Sequence, residues 1–377
     1  MIKRLSFALF DTGETILGAL VFSTFFPLYI TEHVDPKVYS FLYGLSFLAS
    51  FGLALYLGKI ADRKALRKTF FVSFGIAVSL LCLGVGFSYG SPLLSLLIFL
   101  FLAISHQQAF VFYNSMLLSF GSRGITSGIG VAFGYIGSAL SLIFLAKTLK
   151  DPDVYFITGF LFLVLSLPAY ILLENPPLKR EVRLSEVFRD RKFLLLIISV
   201  LTVTEVANTL IAMMGIYLRE VYSLSREEIY RVIGLSAFGG VLGGFLWGYL
   251  TDRFGVRKVF PAGFLLWFTF LVVLSRIPGS LLLPVGFLAG VSLSHIWTTS
   301  RVLILSEFPE GEASVRLSFL SITERVASTT GLILWSLLLV LTGDDYRTSA
   351  SLMAVLPLSG LFLFFLYLKA KEKDITS

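Results

Sequence analysis

Charge is scarce in this 377-residue chain, at 15% of residues, and cysteine is scarcer still, with Cys82 alone. A single thiol excludes an intramolecular disulfide and a thiolate metal cluster. The three histidines, His33, His106 and His295, lack metal-ligand spacing, so neither a metal nor a cofactor is expected. Gly52 to Lys59 reads Gly-x5-Gly-Lys-Ile, one residue too long for a phosphate-binding loop and without its Ser or Thr. No nucleophile elbow is present either. An enzyme, or a pump hydrolysing ATP by itself, is therefore not expected.

Apolar residues, in contrast, make up 56% of the chain, and the mean hydropathy is +0.85. That is more apolar surface than a water-facing fold can bury, so the chain is read as a membrane protein. Apolar windows long enough to cross a bilayer core recur along its whole length. Twelve spans are predicted, near 5–31, 37–60, 69–89, 92–119, 124–147, 154–173, 192–219, 228–250, 259–275, 280–306, 315–341 and 347–368. The first is not expected to be a removed signal peptide, being too long, acidic and without a small-residue cleavage site.

A pI of 9.4 raises the question of a polyanion partner. The basic residues instead sort by side. Twenty fall on the face that carries both predicted chain ends, from Lys3 and Arg4 through the 63–68 and 179–192 runs to Lys369, Lys371 and Lys373. Eight fall on the other: Lys37, Lys147, Lys150, Arg219, Arg226, Arg231, Arg276 and Arg347. The positive-inside rule then accounts for the charge without nucleic acid, and places both termini in the cytoplasm with the chain in an inner membrane.

One phrase is written twice. Gly58, Asp62, Arg63, Arg67 and Lys68 recur as Gly248, Asp252, Arg253, Arg257 and Lys258, each 190 residues on. A constant offset signals duplication, here a parallel repeat of six spans. The predicted division is residues 1–174, a linker at 175–191 and residues 192–377, with Leu184, Val187 and Phe188 marking an amphipathic linker helix. Positive-inside anchoring alone would require the basic residues but not the Gly four before the Asp. The glycines permit close helix approach, and each Asp can sit at the positive end of a helix from the other half. These contacts are read as a latch for the cytoplasmic gate.

Ionisable residues inside spans are costly and mark function. Asp11 and Glu14 are three apart in span one; Glu205 and Asn208 repeat that spacing in span seven. Span four carries His106, Gln107, Gln108, Tyr113 and Asn114, span ten His295, Thr298, Thr299 and Arg301, and span eleven Glu324 and Arg325. Neighbouring acids in low dielectric hold protons near neutral pH. Asp11, Glu14, Glu205 and Glu324 are accordingly coupling candidates and the two span histidines relay candidates. For each acid the alternative is a static buried pair, such as Glu324 with Arg301. Arg301 and Arg325 could bind a substrate carboxylate or pair between helices. Glycine runs at Gly128, Gly130, Gly134 and Gly137 and at Gly239, Gly240, Gly243 and Gly244 read as close packing.

The loop phrase Gly-x-x-x-Asp-Arg-x-x-x-Arg-Lys, its echo, the span count and the central linker together resemble the major facilitator superfamily. The resemblance implies an all-α membrane protein of twelve transmembrane helices in two pseudo-symmetric six-helix bundles, rocking about a midplane site. Spans one, four, seven and ten line the cavity in that superfamily. Four shorter strings are similar to its vacuolar amino-acid effluxer-like (autophagy-related permease) branch. They are Phe7 to Asp11; Tyr113, Asn114, Leu117 and Leu118; Ser127 through Ser138; and Ser300, Arg301 and Pro309. Departures at Thr12–Gly13–Glu14, Glu205–Val206 and Arg325 fall on the implied site. The expectation is a proton-coupled monomeric transporter, symporter or antiporter, exporting a small polar or zwitterionic solute such as an amino acid. A lipid or amphiphile transporter of the same fold is the alternative. A sensor subunit would need an added soluble domain.

Overall fold

The computed structural model describes residues 1–376, the side chains of Arg226, Tyr230 and residues 373–376 excepted. Arg226 and Lys373 of the charge count therefore lie outside the described side chains. Among the described residues there are twelve helices long and apolar enough to cross a membrane. They are α1 (Ile2–Thr31), α2 (Pro36–Lys64), α3 (Arg67–Phe87), α4 (Pro92–Ser119), α5 (Arg123–Thr148), α6 (Asp153–Leu172), α7 (Arg191–Tyr222), α8 (Glu227–Phe254), α9 (Val256–Leu274), α10 (Gly279–Glu307), α11 (Glu310–Thr342) and α12 (Tyr346–Glu372).

Local chemistry sets many of the ends. Asp35 caps α2 by accepting from the Lys37 N–H at 2.7 Å, with Pro36 at the first turn where its missing N–H costs nothing. Ala65 stops the same helix at φ +54°. Ser225 and Glu228 form a reciprocal capping box for α8, and Asp345 accepts from the N–H groups of Arg347 and Thr348 to start α12. α1 widens into a π-helical stretch over Gly18–Phe25, where the Thr24 hydroxyl donates to the Ala19 carbonyl at 2.7 Å. Such turns free backbone groups and recur at functional sites.

The helices form two bundles of six. In the first, α1 packs on α5 and α6, and α3 on α4 and α6; in the second, α7 packs on α11 and α12, and α8 on α10. Two seams join the bundles, α2 against α11 and α5 against α8. Glycine makes both seams. A Cβ on Gly58 would stand 3.2 Å from the Ser314 and Val315 backbone, and one on Gly128 only 2.1 Å from the Gly244 carbonyl oxygen. Between bilayer-embedded helices the drive to associate is this backbone contact, since lipid removes the hydrophobic one. After α6 the chain runs without helix until a short helix at Leu184–Arg189. Its Val187 is buried, and Phe188 meets Phe319 of α11 edge-on, with ring centroids 5.1 Å apart.

Candidate functional site

At the face carrying the chain ends, each repeated Asp sits on the N-terminus of a helix from the other bundle. Asp62 is fully buried and accepts from the Ser314 and Val315 N–H groups of α11, both at 3.1 Å. Its Oδ1 also accepts from Arg67 Nη2 at 2.8 Å and Nε at 3.1 Å. Asp252 accepts from the Gly124 and Ile125 N–H groups of α5 at 2.7 and 2.9 Å. A carboxylate on unsatisfied helical N–H groups combines charge-assisted bonding with the helix dipole.

The two copies diverge beyond that. Arg67 turns inward to Asp62 and to the Leu178 carbonyl at 2.7 Å. Arg257 instead leaves Asp252 and pairs with Glu307 at 3.0 Å. Lys68 Nζ reaches the Ile171 carbonyl at 3.4 Å, while Arg63, Arg253 and Lys258 are exposed. Arg123 adds a bond to the Leu305 carbonyl at 3.2 Å and an ion pair with Glu310.

One layer deeper, Arg301 of α10 crosses into the first bundle. Its Nε donates to the Ser127 hydroxyl at 2.7 Å, Nη1 to Asn114 Oδ1 at 2.9 Å, and Nη2 to the Ser127 carbonyl at 2.9 Å and Asp11 Oδ2 at 3.2 Å. The guanidinium carbon lies 5.5 Å from the Phe7 ring centre and 5.8 Å from that of Tyr113. Ser127 in turn donates to the Thr298 carbonyl at 2.7 Å. Gly130 makes room for this pair, because a Cβ there would stand 2.1 Å from Asp11 Oδ2.

Above this floor is a cavity of about 310 Å³ lined from both bundles. On its wall stand Asp11, Glu14, His106, Gln107, Asn114, Arg301, Glu324 and Arg325. Glu14 Oε1 lies 3.2 Å from His106 Nε2. With the Gln107 amide oriented so that both its ends are satisfied, its oxygen accepts from Arg325, Nε lying at 3.2 Å, and its nitrogen donates to Ser321 at 2.7 Å. Arg325 also stacks its guanidinium 4.3 Å from the centre of the Phe47 ring. The Glu324 carboxylate accepts no hydrogen bond among the described residues; Asn208 and Ser328 take only its backbone carbonyl, at 3.0 and 2.8 Å. A second chamber of about 290 Å³ lies beside Gly18, Phe22 and Tyr43 and shares Glu14, His106, Gln107 and Arg325 with the first.

Four predicted site residues stand off this wall. His295 is buried inside the second bundle, its Nε2 3.2 Å from the Val259 carbonyl and its ring against Trp247 and Gly263. Glu205 bonds to Thr330 of α11, Asn208 to the Glu324 carbonyl, and Tyr113 donates to the Phe7 carbonyl at 2.9 Å beneath the floor. Arg301 pairs with Asp11, not with Glu324, so the static pair weighed for Glu324 does not form. Sequence reasoning did not single out Phe110 or Trp297, which also line the cavity, and named Tyr135 only within the fifth-span string. Ser127 entered it only within a glycine-rich string, although a hydroxyl among span glycines was a usable signal.

Among the described residues, every hydrogen bond joining the bundles lies at the cavity wall or between the cavity and the chain-end face. These bonds thus hold the bundles together on the chain-end side of the cavity, and among the described residues none joins them on the other side.

Comparison with known proteins bears on the family and the fold. Residues 195–377 match the family model of the Major Facilitator Superfamily. A protein of Aquifex aeolicus (strain VF5), described as uncharacterized, is 60% identical over 370 residues, 98% of this chain and 97% of its own. Among solved structures, a bacterial homologue of the iron transporter ferroportin in an outward-facing state matches with TM-score 0.77 and 20% identity over 98% of each chain. The E. coli fucose:proton symporter matches with TM-score 0.77 and 13% identity over 97% of each. The nucleoside transporter NupG matches with TM-score 0.59 and 16% identity, over 97% of this chain and 98% of its own. At these identities the likeness to solved structures is one of fold.

Proposed function

From a chain that shares its family with the Aquifex aeolicus protein, carries the Major Facilitator Superfamily model in its C-terminal half and has that superfamily's fold throughout, we propose a secondary active transporter. It works by alternating access, is coupled to protons, and exports a small polar or zwitterionic solute such as an amino acid. With both chain ends cytoplasmic, as the charge bias favours, the side of the cavity on which no bond joins the bundles among the described residues faces outward and is the open one in this reading. The vacuolar amino-acid effluxer-like branch is the part of the superfamily whose strings the sequence shares, and it supplies the amino-acid reading.

One observation carries the proposal: the cavity, about 310 Å³ and closed by bonds between the bundles on the chain-end side, holds Glu14, His106 and Glu324 in its wall. That volume falls at the small end of ligand sites, roughly 300–1,000 Å³. Carboxylates kept in a low-dielectric wall exchange protons in response to a neighbouring charge. The Glu14–His106 contact gives a proton two adjacent acceptors. Closure of the open side with release of the Asp62 and Asp252 contacts would expose the same wall to the chain-end face.

The test is the purified protein in liposomes with a trapped pH indicator, challenged with amino acids, peptides and lysolipids. Amino-acid-dependent proton movement, lost when Glu14 and Glu324 are both replaced by Gln, is the expected result. Lysolipid movement without any proton movement would replace this reading with the amphiphile one.

A further inference from the structure

The polar groups of the cavity wall do not balance, and the imbalance names a substrate class. Resting on the transporter reading above, we infer that the cavity selects solutes of net positive charge, and that Glu324 receives their amine or guanidinium. All the other charged groups on the wall are already engaged. Arg301 is 4% exposed and spends four of its five N–H donors on Ser127, Asn114 and Asp11. Arg325 is held by Gln107 and the Phe47 ring. Asp11 is held by Arg301 and Glu14 stands against His106.

Glu324 is the exception. Its carboxylate lines the cavity, carries no hydrogen bond or ion pair among the described residues, and is half-buried. Its chain neighbour Arg325 is turned about 100° away around the helix, toward α2 and α4. The charged groups around Glu324 are Glu14 from α1, Arg301 from α10 and Arg325 on its own helix; α4 adds His106, and α5 the neutral phenol of Tyr135. Apart from His106, three carboxylates face two guanidiniums across the wall. A cation cancels the remaining negative charge, whereas an anion adds to it. Trp297, Phe110 and Tyr135 on the same wall offer ring faces on which a cation is stabilised.

The same carboxylate is open to a proton. A bound proton and a bound cation each neutralise Glu324, and both cannot occupy it at once. Cation binding therefore expels one proton from Glu324 to the water of the cavity, and reprotonation releases the cation. The structure thus assigns to one side chain both the charge selectivity and the exchange.

The experiment uses the full chain, in detergent for binding and in liposomes for flux, with putrescine, leucine and succinate as probes. Expected in wild type are putrescine-driven proton release, putrescine binding that weakens about tenfold per pH unit once Glu324 is protonated, and no response to succinate. Glu324→Gln should abolish proton release and weaken putrescine binding at least about tenfold, with an unchanged melting temperature, and Glu324→Asp should restore part of both. Proton flux with leucine or succinate but not putrescine overturns the inference and leaves the transporter reading standing. Putrescine binding independent of pH in wild type also overturns it, whatever the variants do. No flux with any solute overturns both.

Discussion

Replacing Asp62 by Asn should shift the balance between the two access states, by an amount that follows from the bonds Asp62 makes. Its bonds to Arg67 lie within the first bundle and persist in either state, so they largely cancel. The bonds to the Ser314 and Val315 N–H groups, both 3.1 Å, exist only while the chain-end face is closed. Bonds to a charged acceptor contribute roughly 1.5–3 kcal/mol each, and an amide oxygen would recover about 1 kcal/mol. The net loss is about 3 kcal/mol, or about a hundredfold in the ratio of the two states. Ile211 lines the cavity and is 59% exposed, while Cys82 is fully buried. A cysteine at position 211 therefore reports access to membrane-impermeant maleimide from either side. Asp62→Asn should slow labelling from the open face and speed it from the chain-end face. An unchanged ratio of the two rates would refute the latch.

Gly128→Ala places a Cβ 2.1 Å from the Gly244 oxygen, so the α5–α8 seam must part. The overpacking cost of about 1–3 kcal/mol falls on the closed chain-end face, and the same labelling assay should move as it does for Asp62→Asn. His295→Gln should lower the melting temperature through lost packing against Trp247 and Phe260, yet leave proton-coupled flux in liposomes unaltered, because His295 is absent from the cavity wall. Asp345 is held below the usual carboxylate range by bonds from Thr348 and Arg347. A depressed folded value means its cap contributes above the unfolded value and is lost as pH falls through the folded one. Asp345→Ala should therefore melt below wild type at neutral pH, and the gap in melting temperature should close in acid below the folded value.

The fold was legible because period, hydropathy and a constant offset all survive in a single sequence. The span count and the two-bundle fold need no distances, and the role of Gly58 and Gly248 follows from the absence of a side chain. The cavity was harder to read. Asp11 and Glu14 share a helix face, yet one is tied to Arg301 from the other bundle and the other to His106, a partition that depends on how α10 and α4 approach α1. His295 shares the repeat offset almost to the residue, with His106 189 positions before it. It nevertheless faces α9, because Gly263 leaves a pocket for its ring. Trp297 and Phe110 carry no signal that separates them from lipid-facing aromatics, since composition does not record which side of a helix meets the cavity.

The central claim is that one cavity opens alternately to the two faces, and paired distances test it most directly. Spin labels at Lys37 and Glu220 report the separation of the bundles on the open face, and labels at Lys64 and Lys258 report it on the chain-end face. The account predicts two populations for each pair, shifting in opposite senses when pH or a transported solute changes. Distances that each stay single under all these conditions, or that lengthen together, would contradict it.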